Sequence, residues 1–244
     1  MDDFLFQNNI TLVGIDGLGT EYESYITIFD LCSRELNFFK KILFTCADIS
    51  PVDGIDIIKI PKLSYKDYQL FCLNGVAKHI KTDYALFIQS DGFINDGKNW
   101  TNEFLEYDYV AQPWLHDTIP NRFPWVSSPE ESVGEGGFSL RSKKLLDLIS
   151  SLGEEQLKQY VNSGANEDIV ISVILRKYLK QSGCKICPPD LGKKFCAGIN
   201  NFNLSKLDTS FGFHAVEYIK PVLEKYKQKY NLNLDDMINY KEKL

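Results

Sequence analysis

Hydrophobic positions in the first part of the chain follow two alternating rhythms. Residues 10–15 (ITLVGI) form an unbroken β-branched and apolar run, and Gly17-Leu18-Gly19 then turns the chain. Residues 21–36 place Tyr25, Ile28, Phe29 and Cys32 at helical spacing. Residues 41–46 (KILFTC) and 55–60 (IDIIKI, stopped by Pro61) read as a second and a third strand. Residues 68–80 read as a helix with Leu70, Phe71, Leu73, Val76 and Ala77 on its apolar side, and residues 84–88 (YALFI) as a fourth strand. Near-continuous apolar strands alternating with amphipathic helices predict a mostly parallel sheet covered by helices. Ligands of such sheets bind beyond the carboxyl ends of the strands. Asp16 and Asp91 fall at two of those ends.

The rest of the chain is less regular. Residues 107–112 (YDYVAQ) predict a fifth strand. Residues 113–135 lack periodicity and hold Trp114 and Trp125, which suits a lid or binding loop. Residues 133–141 (VGEGGFSLR) place a glycine pair before a short apolar strand. Helices are expected over 142–152 and 166–179, a short strand over 185–187, and surface helices over 223–230 and 234–244.

Composition narrows the classes. The chain has 244 residues, 44% hydrophobic and 25% charged, which is enough for a core without disulfides or metals. Its net charge of −6 makes it a poor general partner for nucleic acid. No apolar run is long enough to span a membrane, and Met1-Asp2-Asp3-Phe4 lacks the basic start of a secretory signal, so a cytoplasmic protein is expected. Cys184 and Cys187 form a C-x-x-C without a second close pair, so reduced core cysteines are expected.

Each candidate residue has two readings. Gly14-Ile15-Asp16-Gly17-Leu18-Gly19 reverses the gap order of a dinucleotide fingerprint, which argues against a dehydrogenase. Asp91, in Gln89-Ser90-Asp91-Gly92, either caps a turn or offers hard oxygen to Mg²⁺ or Mn²⁺. Gly136-Gly137 either marks a tight bend or lets backbone approach a ligand. Asn166 is a good helix N-cap, and Glu167 and Asp168 suit the helix dipole; either carboxylate could instead serve as a general base. His214 lies among aromatics, where a lone histidine is ordinarily structural.

In order along the chain, residues 86–93 (LFIQSDGF), 108–114 (DYVAQPW), 133–142 (VGEGGFSLRS) and Glu167-Asp168 resemble the GT-A-fold glycosyltransferases. More closely, they resemble a bacterial and viral group of GT-A-like proteins, and residues 187–195 (CPPDLGKKF) and 211–214 (FGFH) extend the likeness. The resemblance implies an α/β, GT-A-like single domain with a mostly parallel sheet flanked by helices and a mixed acceptor-side subregion. It would occupy residues 1–220, with a nucleotide-binding half (1–95) and an acceptor and catalytic half (96–220), followed by a helical extension (221–244). It further implies a metal, Mn²⁺ or Mg²⁺, on Asp91 and His214; Asp168 as base, with Glu167 second; and Asp16, Gln89, Asp91, Gly92, Gly136 and Gly137 around a nucleotide sugar. Trp114 and Trp125 would face the acceptor or form a lid. Gln89 departs from the family's D-x-D triplet and supplies no charge.

The expected activity is sugar transfer from a nucleoside-diphosphate sugar to a glycan or glycoconjugate hydroxyl, metal-assisted and inverting. Two rivals stand beside it. A sugar nucleotidyltransferase would carry basic residues after the first strand, where this chain has none. A nucleotide- or carbohydrate-binding module without turnover would bind normally after Asp168→Asn.

Overall fold

A computed structural model of the chain describes residues 9–114, 133–198 and 203–241. Six strands form one sheet in the order β3-β2-β1-β4-β6-β5: β1 Ile10–Asp16, β2 Lys40–Thr45, β3 Asp56–Lys59, β4 Tyr84–Ile88, β5 Tyr109–Pro113 and β6 Val133–Ser142. β3, β2, β1 and β4 run parallel, while β6 is antiparallel to both β4 and β5. The expected mostly parallel sheet with a mixed far side is therefore the observed one, and the fold is a single α/β domain. β1 is buried along its whole length because helices cover both faces of the sheet, which is why its sequence is apolar without alternation.

Three differences from the sequence reading matter for the site. First, the glycine pair does not precede a short strand. It lies inside β6, whose ten residues are all buried, and the pairing with β5 slips between Ala111 and Pro113. A bulge of this kind re-aims side chains at a sheet end. Second, the two long helices expected over 68–80 and 166–179 are broken. Helix α2 (Tyr65–Leu70) passes into a π segment at Phe71–Gly75, and a 3₁₀ turn follows at Ala77–His79. Between them, α3 (Lys143–Ser150) packs on β6, and α4 (Glu154–Asn162) packs on α2 and its π segment. Helix α5 (Glu167–Ile169) likewise passes through a π segment at Val170–Ile174 into α6 (Arg176–Gln181). Inserted π turns gather at functional sites, and both of these follow segments that line the cavity described below.

Third, the closing helix is not a surface helix. After α7 (Pro189–Phe195), β7 (Cys196–Gly198) and β8 (Gly212–His214), helix α8 spans Val216–Tyr230. It buries Tyr218, Ile219, Val222, Leu223 and Tyr226 in the main core, beside α1 (Tyr22–Glu35). Its i, i+1, i+4, i+5 and i+8 spacing from Tyr218 is an amphipathic signal diluted by lysines on the outer face. A last helix, α9, spans Asp235–Lys241. The expected strand at 185–187 is reduced to one bridge between Tyr109 and Ile186. All six cysteines are free thiols. No helix among the described residues is long and apolar enough to cross a membrane.

Candidate active site

A cavity of about 530 Å³ opens at the carboxyl ends of β1 and β4. Its lining includes Asp16, Gln89, Asp91, Gly137, Glu167, Asp168 and His214. The sequence thus points to one place through residues from five separate parts of the fold: β1, the turn after β4, β6, α5 and β8. Trp114 does not line it: its ring packs against Gly134 and the core beneath α4–α6. Trp125 lies outside the described residues.

Asp16 ends β1, and its carboxylate is already engaged. Oδ1 accepts the backbone N–H groups of Gly19 (2.8 Å) and Thr20 (3.2 Å), while Oδ2 accepts from Glu21 N–H (3.3 Å) and Thr45 Oγ1 (3.1 Å). The side chain therefore folds the β1–α1 turn and supplies the anionic partner of the α1 N-terminus.

Asp91 sits in the tight turn that Gln89 and Gly92 close by mutual backbone bonds of 2.9 and 3.0 Å. The next residues are tied to the strand carrying His214: Ala215 N–H bonds Asp91 O (3.0 Å), and Phe213 N–H bonds Phe93 O (3.1 Å). Phe93 and Phe213 add an edge-to-face ring contact at 4.6 Å. This register brings His214 Nε2 to 3.1 Å from Gln89 Oε1 and 3.6 Å from Asp91 Oδ1. Gln89 is oriented in turn by its own Nε2, which donates to the Tyr68 hydroxyl (2.8 Å).

The glycines follow from this crowding. A Cβ on Gly137 would stand 2.1 Å from His214 Nε2, one on Gly92 would stand 2.8 Å from His214 Cδ2, and one on Gly136 would stand 2.1 Å from Glu167 Oε1. Their missing side chains make room for the protein's own imidazole and carboxylate, a close approach only glycine allows.

Glu167 and Asp168 have different surroundings. Glu167 is buried, its N–H donates to Gln69 Oε1 (2.8 Å), and its Oε1 accepts from the buried Arg141 guanidinium (3.2 Å). Asp168 is half-buried and accepts from Gly136 N–H (3.2 Å) and Ile169 N–H (2.7 Å). Burial, and next the Glu167 charge, raise its carboxyl well above the usual carboxylate range, against the lowering effect of those two bonds. Asn166 occupies the N-cap position, but its side chain accepts from Tyr65 instead of capping.

His214 is under opposed influences. Burial lowers its proton affinity; a hydrogen bond to Glu135 and the charges of Asp91, Glu135 and Asp168 outweigh it, so the net shift is upward. Glu135 Oε2 lies 3.9 Å from Nδ1, so one ring nitrogen faces Glu135 and the other faces Asp91 and Gln89. Sequence reasoning missed Glu135, Arg141, Gln69 and Tyr68 as site residues. Only Glu135 carried a signal, as a carboxylate enclosed by glycines.

Among the described residues, no group of three or more His, Cys, Asp or Glu side chains is placed to hold a metal ion. The donors near Asp91 are one carboxylate, one imidazole and one amide oxygen. Their chemistry fits Mn²⁺ or Mg²⁺ as a partial shell, to be completed by phosphate oxygens and water.

Residues 63–214 match a protein family described as protein of unknown function, DUF5672. The chain belongs to this family. The match takes in Gln89, Asp91, Glu135, Arg141, Asp168 and His214, leaving β1, with Asp16, outside it. No curated protein sequence matches this DUF5672 chain. Among solved structures it is similar to the galactosyltransferase LgtC in complex with donor and acceptor sugar analogues. That match has a TM-score of 0.52 and 11% identity, and it covers 84% of this chain and 86% of that one. A glycosyltransferase involved in glycosylation of the major capsid of PBCV-1 matches at TM-score 0.48 and 13% identity, covering 92% of this chain and 100% of that one. At such identities the likeness to LgtC shows the fold alone.

Proposed function

We propose that this DUF5672 chain transfers a sugar from a nucleoside-diphosphate sugar to an acceptor hydroxyl, with inversion, in polysaccharide or glycoconjugate synthesis. The observation that carries the reading is the meeting, in one cavity of a GT-A-like fold, of Asp168 with its raised proton affinity and the Asp91–Gln89–His214 cluster. In this reading residues 1–95 hold the nucleotide, residues 96–220 meet the acceptor, and the protein works in the cytoplasm. As the acceptor oxygen bonds the anomeric carbon and the bond to the diphosphate breaks, the ionised form of Asp168, populated as pH rises toward its raised value of about 8, takes the acceptor's proton. Glu167 is already bonded to Arg141, which leaves Asp168 as the base.

The leaving diphosphate would enter a cavity also lined by the carboxylates of Asp16, Glu21, Asp91 and Glu167, so it needs positive charge beside it. Mn²⁺ or Mg²⁺ on Asp91 and His214, with the Gln89 oxygen, would supply that charge as a Lewis acid. Gly137 leaves the space in which the His214 ring stands at the cavity wall.

Thermal denaturation with UDP, GDP, CMP or ADP, each with and without Mn²⁺, tests the reading. At about a hundred times its dissociation constant a ligand stabilises the fold by roughly 2.7 kcal/mol. One nucleotide should raise the melting temperature only with Mn²⁺, and Asp91→Asn should abolish that rise. No shift with any nucleotide would sink the reading. A binding module without turnover is the second reading, favoured by the single carboxylate in the triplet Gln89-Ser90-Asp91; metal-dependent nucleotide binding unaccompanied by transfer would select it.

A further inference from the structure

Among the described residues Arg141 is one of the largest fully buried side chains, and the reading above uses only its bond to Glu167. Its Nε donates to Ser139 Oγ (3.0 Å), and Nη1 to Cys72 O (3.5 Å) in the π segment after α2. Nη2 donates to Gly136 O (3.4 Å) and Glu167 Oε1 (3.2 Å), and the guanidinium lies 4.0 Å from the Phe87 ring centroid. We propose that Arg141 is a positioning residue: by gripping Glu167 and the Gly136 carbonyl together, it holds the Asp168 carboxylate at the cavity wall and leaves Asp168 as the one proton acceptor of the pair. This rests on the transferase reading for its catalytic meaning, though its geometry does not.

The need for such a grip follows from the local fold. α5 has three residues before its π segment, and Asn166 gives it no side-chain cap. So short a helix cannot orient its own first turn, and tertiary bonds must. Gln69 Oε1 accepts from Glu167 N–H, and Gly136 N–H donates to Asp168 Oδ2. Arg141 fixes the other end of the same glycine and the side chain next to Asp168. A buried guanidinium is costly unless paired and fully bonded, and a planar fork bonds several acceptors where a lysine would bond fewer.

The charged and titratable groups around Asp168 are Glu167 on its own helix, Glu135 and, through Glu167, Arg141 from β6, Tyr109 from β5, Cys72 from the π segment and His214 from β8. The test is a carboxyl ¹³C NMR titration of aspartate-labelled, ligand-free protein, with Asp168→Asn assigning the resonance. Glu167→Gln should lower the Asp168 midpoint by about one unit, Arg141→Met should raise it by a similar amount, and the double variant should return it near wild type. Loss of packing alone would not give opposite shifts that cancel. If Arg141→Met does not fold, Glu167→Gln and the double variant, which buries no lone charge, decide between them. A midpoint unmoved in Glu167→Gln, or left shifted in the double variant, overturns the proposal. In transfer assays, Arg141→Lys should lower kcat by about tenfold or more with donor KM changed less than about threefold. If no transfer is found in wild type, the transferase reading fails while the titration still decides the role of Arg141.

Discussion

Asp16 and Asp168 line the same cavity, yet they differ in what they have left to offer. Asp16 accepts three backbone N–H groups and a threonine hydroxyl across both of its oxygens. Asp168 accepts two N–H groups, sits beside a second carboxylate, and holds its proton well above the usual carboxylate range. A carboxylate bonded through both of its oxygens builds structure. One pushed toward neutrality by burial and a like charge is poised to move a proton. The β1–α1 side of the cavity is thus a bonded floor, and the β6, α5 and β8 side holds the carboxyl with the raised proton affinity.

The comparison breaks most sharply at Asp168. Asp168→Asn should lower sugar transfer by about 10²–10⁴-fold, the usual worth of a general base, while Mn²⁺-dependent nucleotide binding persists. Transfer within a few-fold of wild type would return the base to another group. Next in size is Gly137→Ala, whose Cβ would fall 2.1 Å from His214 Nε2. Displacing the ring by an ångström should cost about a hundredfold in turnover, and a crystal structure of the variant should show His214 rotated. An unmoved ring with full activity would mean the cavity tolerates what the packing forbids.

Asp16→Asn sharpens the other half. An amide keeps one acceptor oxygen, so the bonds to Glu21 N–H and Thr45 Oγ1 cannot all survive. The expected loss is about 1–3 kcal/mol of stability by urea denaturation, with kcat of the folded fraction within a few-fold of wild type. A kcat collapse without loss of stability would show that Asp16 belongs to the chemistry after all.

How much of this was legible follows the same division. The run ITLVGI and the segment YALFI mark β1 and β4 because a strand covered on both faces must be apolar at every position. Asp16 and Asp91 were found by falling where those strands end. The β6, α5 and β8 side was legible only as blocks. Burial of Arg141 depends on Glu167, 26 positions away, and on carbonyls at Cys72 and Gly136, and no local pattern announces such a partnership. The π segments are equally silent, since an inserted residue leaves the apolar spacing of VISVI unchanged in kind. Helix α8 looked superficial because lysines punctuate it, although Tyr218, Val222 and Tyr226 face inward on one stripe.

The smallest effect concerns stability, and its sign separates the two aspartates once more. Asp168 binds its proton more tightly folded than unfolded. Between the ordinary carboxylate range and its raised folded value, the native state therefore holds more protons than the unfolded chain. Its stabilising contribution is fully present below the unfolded value and is lost as pH rises through the folded one. Near neutrality folding must therefore draw a proton onto Asp168, which opposes folding, and the neutral amide of Asp168→Asn should relieve that opposition by ~1 kcal/mol, allowing for partial solvent screening at the cavity face. Melting curves from pH 5 to 9 should show the variant gaining on wild type as pH rises. A constant difference across that range would place the ionisation outside the window and weaken the case for Asp168 as a tuned base. The β6, α5 and β8 side of the cavity would then be no more strained than its floor.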